Sequence, residues 1–178
     1  MRSLDKQESR RKSVQKYLYS IKRSEIKILN LERAIHDLDT RRESPPVWMS
    51  NPDIISVTGG MDGSKQESWV EFLETYPDRR SYLADCLDHE RKRVEQFYTT
   101  LNQLSTEGRW GPLAANLIRH KYIQRITPDM AIYTMYLFCT RESFYRTHKR
   151  ALKFFYDVLP DIFKNDTLVT LNSSKSVI

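Results

Sequence analysis

Two series of apolar residues recur at alternating three- and four-residue steps along this chain and limit its fold to long paired helices. The first series begins at Val14 and the second at Leu83, and each contains one polar member, Ser24 and Glu90 respectively. This spacing is typical of long amphipathic helices. The two series are Val14, Tyr17, Ile21, Ser24, Ile28, Leu31, Ile35, Leu38 and Leu83, Leu87, Glu90, Val94, Phe97, Leu101, Leu104.

Each of these helices is expected to span roughly 25 to 35 residues, or about 40 to 50 Å at 1.5 Å per residue. A helix with one uncovered apolar seam is not stable alone in water, so the seams must pair. An antiparallel hairpin is the simplest pairing, and it places the basic start of the first helix near acidic residues of the second. Pairing between two chains, in a homodimer, satisfies the same seams equally well.

Composition agrees with a helical protein, since 39% of the residues are hydrophobic, 29% are charged and only five of 178 are glycine. We therefore predict an all-α fold, in which a long helical hairpin or coiled-coil region precedes a C-terminal helix-turn-helix. Apolar runs are far shorter than the roughly 18 residues that span a bilayer, and no secretory signal is present, so a cytoplasmic location is expected. Cys86 and Cys139 lack CxxC spacing and are expected to be reduced thiols.

A stretch rich in proline and glycine separates the two long helices. Residues 44–63 hold three of the seven prolines and three of the five glycines, which predicts a linker. Ser64 and Glu67 then fit a capping box before a short apolar helix that Pro77 is expected to end. The predicted segments are an N-terminal helix (1–43), the linker (44–66), a second helical region (67–107), a helix-turn-helix domain (108–164) and a disordered tail (165–178).

The C-terminal part carries two helix start signals. Thr127, Pro128 and Asp129 predict a helix N-terminus with a threonine cap, a proline in the first turn and an acid at the positive dipole end. Thr140 predicts a second cap, with a helix that begins at Arg141. The residues predicted to face inward are Met130, Ala131, Tyr133, Thr134 and Leu137 on the first helix, and Phe144, Thr147 or His148, Ala151, Leu152 and Phe155 on the second.

Charge separates this region from the rest of the chain. Residues 113–156 contain eight basic and two acidic residues. Residues 28–112 contain ten basic and fifteen acidic residues, and the first 27 residues contain nine basic and three acidic ones. A basic unit with a helix-break-helix pattern indicates phosphate neutralisation by a helix-turn-helix protein on double-stranded DNA. The simpler alternative is a basic helix face that is only solvated.

The exposed face of the second helix supplies the candidate DNA contacts. Arginine pairs bidentately with guanine, and glutamate accepts a hydrogen bond from cytosine, so that face contains the residue types that recognise base edges. The candidate base-reading residues are Arg141, Glu142, Tyr145, Arg146 and Lys149. The candidate phosphate-binding residues are Arg119, Lys121, Arg125, Arg150 and Lys153.

Sequence motifs for catalysis, metal binding and cofactor binding are missing, so an enzyme, a metal site and a cofactor are not expected. Asp85, Asp88, His89 and Glu90 lie close together but lack HExxH spacing, and a solvated helix face explains them better. His120 and His148 are expected to contact phosphate or to fill the domain core.

Several of these residues together resemble a known family. The segment Ile118 to Tyr122, the capping residues Thr127 and Thr140, the run Phe144-Tyr145-Arg146 and the pair Ala151-Leu152 resemble phage late-gene transcription regulators of the ArpU-like and RinA-like groups, whose DNA-binding part is sigma-factor-like. The resemblance covers about two thirds of the chain, with specific motifs only in the last third. It implies an activator of phage or prophage late genes that works in the bacterial host cytoplasm and contacts RNA polymerase.

Two other functions fit the same residues. Phage terminase small subunits also join a helix-turn-helix to oligomerising helices, which would make this a DNA-packaging protein. A coiled-coil adaptor that binds an acidic protein partner through its basic helix is the alternative outside DNA binding.

Overall fold

The computed structural model describes residues 2–45 and 62–160, with side chains from residues 7 and 67 onward in these two stretches. Regular structure in these residues is helical throughout, so the all-α prediction is confirmed. The helices are α1 (Arg2–Glu43), α2 (Asp62–Ser105), α3 (Gly111–Ile118), α4 (Asp129–Ala131) and α5 (Arg141–Val158). A 3-10 turn (Gly108–Trp110) precedes α3, and π-helical turns extend α3 (Arg119–Ile123) and α4 (Ile132–Tyr136).

Two of the predicted segments lie largely or wholly outside this description. Most of the linker (residues 46–61) and the predicted disordered tail (165–178) fall outside the described residues. Within the described part of the chain, no helix combines the length and the apolar character that a membrane span requires.

Both long helices exceed the predicted length, with 42 residues in α1 and 44 in α2. The prediction that Pro77 ends a helix is wrong, because Pro77 lies inside α2. Trp69, Phe72 and Tyr76 form a buried cluster just before this proline, and the Tyr76 hydroxyl donates a hydrogen bond to Asp39 at 2.6 Å. These contacts to α1 stabilise α2 at the position where proline removes a backbone hydrogen bond.

The described residues form two compact units, and the first consists of those between residues 26 and 91. In this hairpin unit α1 and α2 run antiparallel, as the ion pairs of Lys27 with Glu90 at 2.6 Å and of Asp39 with Arg80 at 3.0 Å show. The two helices therefore pair within one chain over these residues. Their seam is covered only in part, because the α1 residues Ile28, Leu31, Ile35 and Leu38 are half-buried.

The second unit, here called the core unit, combines the described residues up to 25 with those from 92 to 160. Its largest fully buried side chains include Tyr17 from α1, Phe97 from α2 and Phe144 and Phe155 from α5. The predicted helix-turn-helix domain thus shares one hydrophobic core with parts of both long helices. A segment of roughly 60 residues is only marginally stable by itself, so the added core from both long helices stabilises it.

Close backbone contact joins the start of α3 to the end of α2. A Cβ atom on Gly111 would lie 2.3 Å from the carbonyl oxygen of Leu104, so only glycine fits at this position. The turn between these residues brings α3 back against the core, and α3 in turn packs on α5.

Candidate nucleic-acid interface

The first helix of the predicted helix-turn-helix starts later than the sequence indicated. Pro128 has extended backbone angles (φ −76°, ψ 167°) and is itself the N-cap residue, so helical geometry begins at Asp129. The prediction that Thr127 caps this helix is wrong, since no side chain caps it. The Asp129 carboxylate instead accepts a hydrogen bond from the Lys121 ammonium.

The buried face of this first helix also differs from the prediction. Ile132 is fully buried, whereas Met130 and Thr134, which were expected to face inward, are exposed. From Ile132 to Tyr136 the helix makes a π-helical turn, which is wider than an α-helical one. The α-helical period on which the prediction was based therefore does not hold over these residues.

Similar turns end the helical segments before and after Thr127. Arg125 and Phe138 both have positive φ angles, 54° and 48°. The next residue in each case donates its backbone N–H to a carbonyl six positions earlier, from Ile126 to His120 at 3.0 Å and from Cys139 to Tyr133 at 2.9 Å. This closure satisfies carbonyls at the helix ends.

The predicted cap of the second helix is confirmed. Thr140 has extended backbone angles, and its hydroxyl accepts a hydrogen bond from the backbone N–H of Ser143 at 3.2 Å. This bond satisfies one of the free N–H groups at the start of α5. Thr140 therefore fixes the point at which α5 begins.

Replacing Thr140 with alanine is expected to lower the free energy of unfolding by about 1 kcal/mol, because the first turn of α5 loses its cap. Urea unfolding followed by circular dichroism measures this difference. Thr127→Ala is the matched control, since that threonine caps no helix, and it should leave the stability nearly unchanged. Equal losses in the two variants would contradict the assignment of the cap.

The two faces of α5 are those that the periodicity predicted. Its buried residues are Phe144, Thr147, His148, Ala151, Leu152 and Phe155. The opposite face carries the candidate base-reading residues, all of which are exposed. Arg141, Glu142, Tyr145, Arg146 and Lys149 together line one shallow surface depression. The structure thus brings all five candidate base-reading side chains together on one surface.

Four of the five candidate phosphate-binding residues are also exposed. They are Arg119, Arg125, Arg150 and Lys153. The Arg150 guanidinium lies over the ring of Trp110, 4.0 Å from its centroid, and the Arg125 guanidinium donates a hydrogen bond to the Tyr19 carbonyl at 3.2 Å. The contact with Trp110 could not be predicted from the sequence, because Trp110 lies far from Arg150 along the chain.

Lys121 is placed differently from the other four. Its side chain is only 14% exposed, and its ammonium donates to Asp129 while lying 5.9 Å from the centroid of the Phe144 ring. Lys121 therefore joins the turn after α3 to the start of α4 and lies close to Phe144 of α5. This position gives it a structural role, which the sequence pattern did not indicate.

His148 lies in the core beneath the exposed face of α5. Its Nε2 atom lies 2.8 Å from the Tyr122 hydroxyl, and both side chains are buried. Burial, aided by the nearby positive charge of Lys121 and Arg11, lowers the pKa of His148 to about 4, although Asp129 acts in the opposite direction. His148 therefore stays neutral at physiological pH and fills the core, which was one of its two predicted roles.

This histidine should make the core unit sensitive to acid. The pKa of His148 is about 4 in the folded state and 6.5 in the unfolded state. Between pH 4 and pH 6.5 the unfolded state therefore binds more protons than the folded state. The stability that neutral His148 contributes is present above pH 6.5 and is lost as the pH falls toward 4. We expect His148→Gln to flatten the dependence of unfolding free energy on pH in this window, measured by urea unfolding. A slope equal to that of the wild type would contradict this account.

Side chains of the types that bind metals are dispersed in the described part of the chain. Within it, no group of three or more His, Cys, Asp and Glu side chains is arranged to hold a metal ion. Glu90, from the acidic run on α2, instead pairs with Lys27 of α1.

Comparisons with protein-family models, curated proteins and solved structures find no match for this chain. The exposed face of α5 and the cations around it are the features of this chain that indicate a function.

Proposed function

We propose that this chain is a sequence-specific DNA-binding protein that regulates transcription, with α5 as its reading helix. The observation that carries the proposal is the division of α5 into two faces. One face is buried in the core through Phe144, Ala151 and Phe155, and the other presents the five base-reading candidates on one surface. A helix with one buried and one exposed face supports this assignment, because the second helix of a helix-turn-helix protein enters the major groove with its exposed face.

The chemistry of the exposed face suits base recognition. Arg141 and Arg146 can each bind guanine through two parallel hydrogen bonds, and Glu142 can accept one from cytosine. These residues lie in the first two turns of α5, which is the part of a recognition helix that contacts base edges. Tyr145 and Lys149 complete the reading surface.

Exposed cations around this surface are proposed to bind phosphates and to set the register of the protein on DNA. They are Arg119, Arg125, Arg150 and Lys153. Lys121 is removed from this set because its ammonium is bound by Asp129. The stacking of Arg150 on Trp110 orients one of these cations before DNA binds.

The resemblance to phage late-gene regulators supports a finer proposal. On that basis the targets are late-gene promoters of a phage or prophage, transcription is activated, and RNA polymerase is a partner. A pull-down of polymerase from the bacterial host tests this link, and its failure would count against activation without affecting DNA binding.

Binding to DNA from the neighbouring genome tests the proposed function. The purified protein is mixed with fragments of that DNA at about 0.15 M salt, with unrelated DNA as competitor. Tight binding that survives the competitor at one upstream site supports a regulator. Weak binding to every fragment would contradict sequence specificity, and no binding would favour the adaptor that binds an acidic protein.

One observation keeps a DNA-packaging protein as the second candidate. The hairpin unit leaves Ile28, Leu31, Ile35 and Leu38 half-buried and Leu29 exposed, which is a surface that further copies of the chain can cover. Light scattering separates the two functions. A closed ring of roughly eight or more chains would favour a terminase-like protein, whereas a monomer or a dimer favours the regulator.

A further inference from the structure

The basic start of the chain packs against the end of the reading helix. In the core unit, the Arg10 guanidinium of α1 lies over the Tyr156 ring of α5, 4.9 Å from its centroid. A groove between these helix ends is lined by Arg10, Arg11, Lys153, Tyr156 and the acid Asp157. Three cations from distant parts of the chain thus surround one groove.

We propose that this groove binds a phosphate group of the DNA backbone where α5 leaves the major groove. The inference rests on the proposed function, and it assigns a role to the basic N-terminal segment. Arg10 and Arg11 then extend the DNA interface beyond the helix-turn-helix.

The position of the groove follows from helix geometry. Lys153 lies about two turns, or roughly 10 Å, beyond Arg146 on the same face of α5, and Tyr156 is related to Lys149 in the same way. The groove therefore continues the reading surface at its C-terminal end. A recognition helix contacts bases mainly through its N-terminal residues, so its far end lies near the backbone that borders the groove.

The charges and shapes of the lining residues fit a phosphate. Three cations outweigh the single carboxylate of Asp157. A guanidinium donates two parallel hydrogen bonds to a phosphate, which favours arginine over lysine at such a position. Contact with the Tyr156 ring restrains Arg10 before binding, so less conformational entropy is lost when DNA arrives.

The salt dependence of DNA binding tests the assignment. Each phosphate contact contributes about 0.9 to the slope of log affinity against log salt concentration. We expect Arg10→Gln with Arg11→Gln to reduce this slope by about 0.9, because one phosphate contact is lost, and to leave the preference among DNA sequences unchanged. Between 50 and 200 mM salt, the wild type should then lose about threefold more affinity than the double variant.

Two exposed cations further along α1 provide the matched control. Lys16→Gln with Arg23→Gln removes the same charge and should leave the slope unchanged, because neither residue lines the groove. An unchanged slope in the Arg10 and Arg11 variant would overturn the inference. If the wild type still bound DNA with sequence specificity in that case, the proposed function would stand. A wild type that binds no DNA would overturn both.

If the double variant does not fold, a variant expected to bind DNA more tightly tests whether the groove binds a phosphate. Asp157→Asn removes the one carboxylate of the groove and keeps the shape of the side chain. It should raise the affinity for all DNA sequences several-fold at about 0.15 M salt. Unchanged affinity in this variant would overturn the inference.

Discussion

Replacing Arg146 with alanine is expected to weaken DNA binding at one base pair of the target and to relax specificity there. The expected cost is about 1 to 3 kcal/mol, because a bidentate contact to guanine is lost. Arg146 is exposed and shares one surface with the other base-reading candidates, so its removal should not disturb the core. Binding to a set of duplexes that carry each base at every position measures the effect.

Two control variants, one of a lysine and one of an arginine, distinguish base recognition from non-specific attraction between the protein's positive charge and DNA. Lys153→Ala should weaken binding to every duplex alike, since a phosphate contact carries no sequence information. Arg79→Ala removes an equal charge from an exposed position in the hairpin unit, outside the proposed set of DNA contacts, and should change little. If Arg146→Ala and Lys153→Ala both lowered affinity uniformly, the assignment of the reading surface would be wrong.

Replacing Phe144 with alanine is expected to lower the free energy of unfolding by about 3 to 5 kcal/mol. Phe144 is fully buried, and its ring lies 5.6 Å from that of Tyr133 and 6.2 Å from that of His148. Truncation removes the contact that holds α5 against the first helix of the pair and leaves a cavity. Urea unfolding by circular dichroism gives the change, and DNA affinity should fall with it.

Phe138 provides a control of the same residue type in the same region. Its side chain is 85% exposed, so Phe138→Ala should cost less than about 1 kcal/mol. Phe144→Leu, which refills part of the cavity, should fall between the two alanine variants. A loss for Phe138→Ala as large as that for Phe144→Ala would contradict the packing described for α5.

The two faces of α5 and its start at Arg141 follow from the sequence alone. The apolar residues from Phe144 to Phe155 recur with the α-helical period, and Thr140 is a strong N-cap. Both signals act within one or two turns, so no knowledge of distant residues is needed. The pairing of the two long helices was predictable for a similar reason, because each carries a seam that is unstable unless covered.

Local signals were insufficient where distant contacts change the outcome. Pro77 lies inside α2, where Tyr76 donates a hydrogen bond to Asp39 of α1. The sequence pattern does not predict the ion pair between Lys121 and Asp129. It also does not predict the contact of Arg10 with Tyr156. Each depends on which side chains meet in space.

The amino-acid sequence by itself thus determined the helical class, the start and the two faces of α5, and the group of charged residues on that helix. Tertiary structure alone decided that α1 and α2 complete the core around that helix, that Lys121 is engaged within the core unit, and that Arg10 and Arg11 lie beside Lys153. The physical reason is the range of the forces involved. Capping and periodicity act between residues near in the chain, whereas core packing and charge clustering join residues far apart in it.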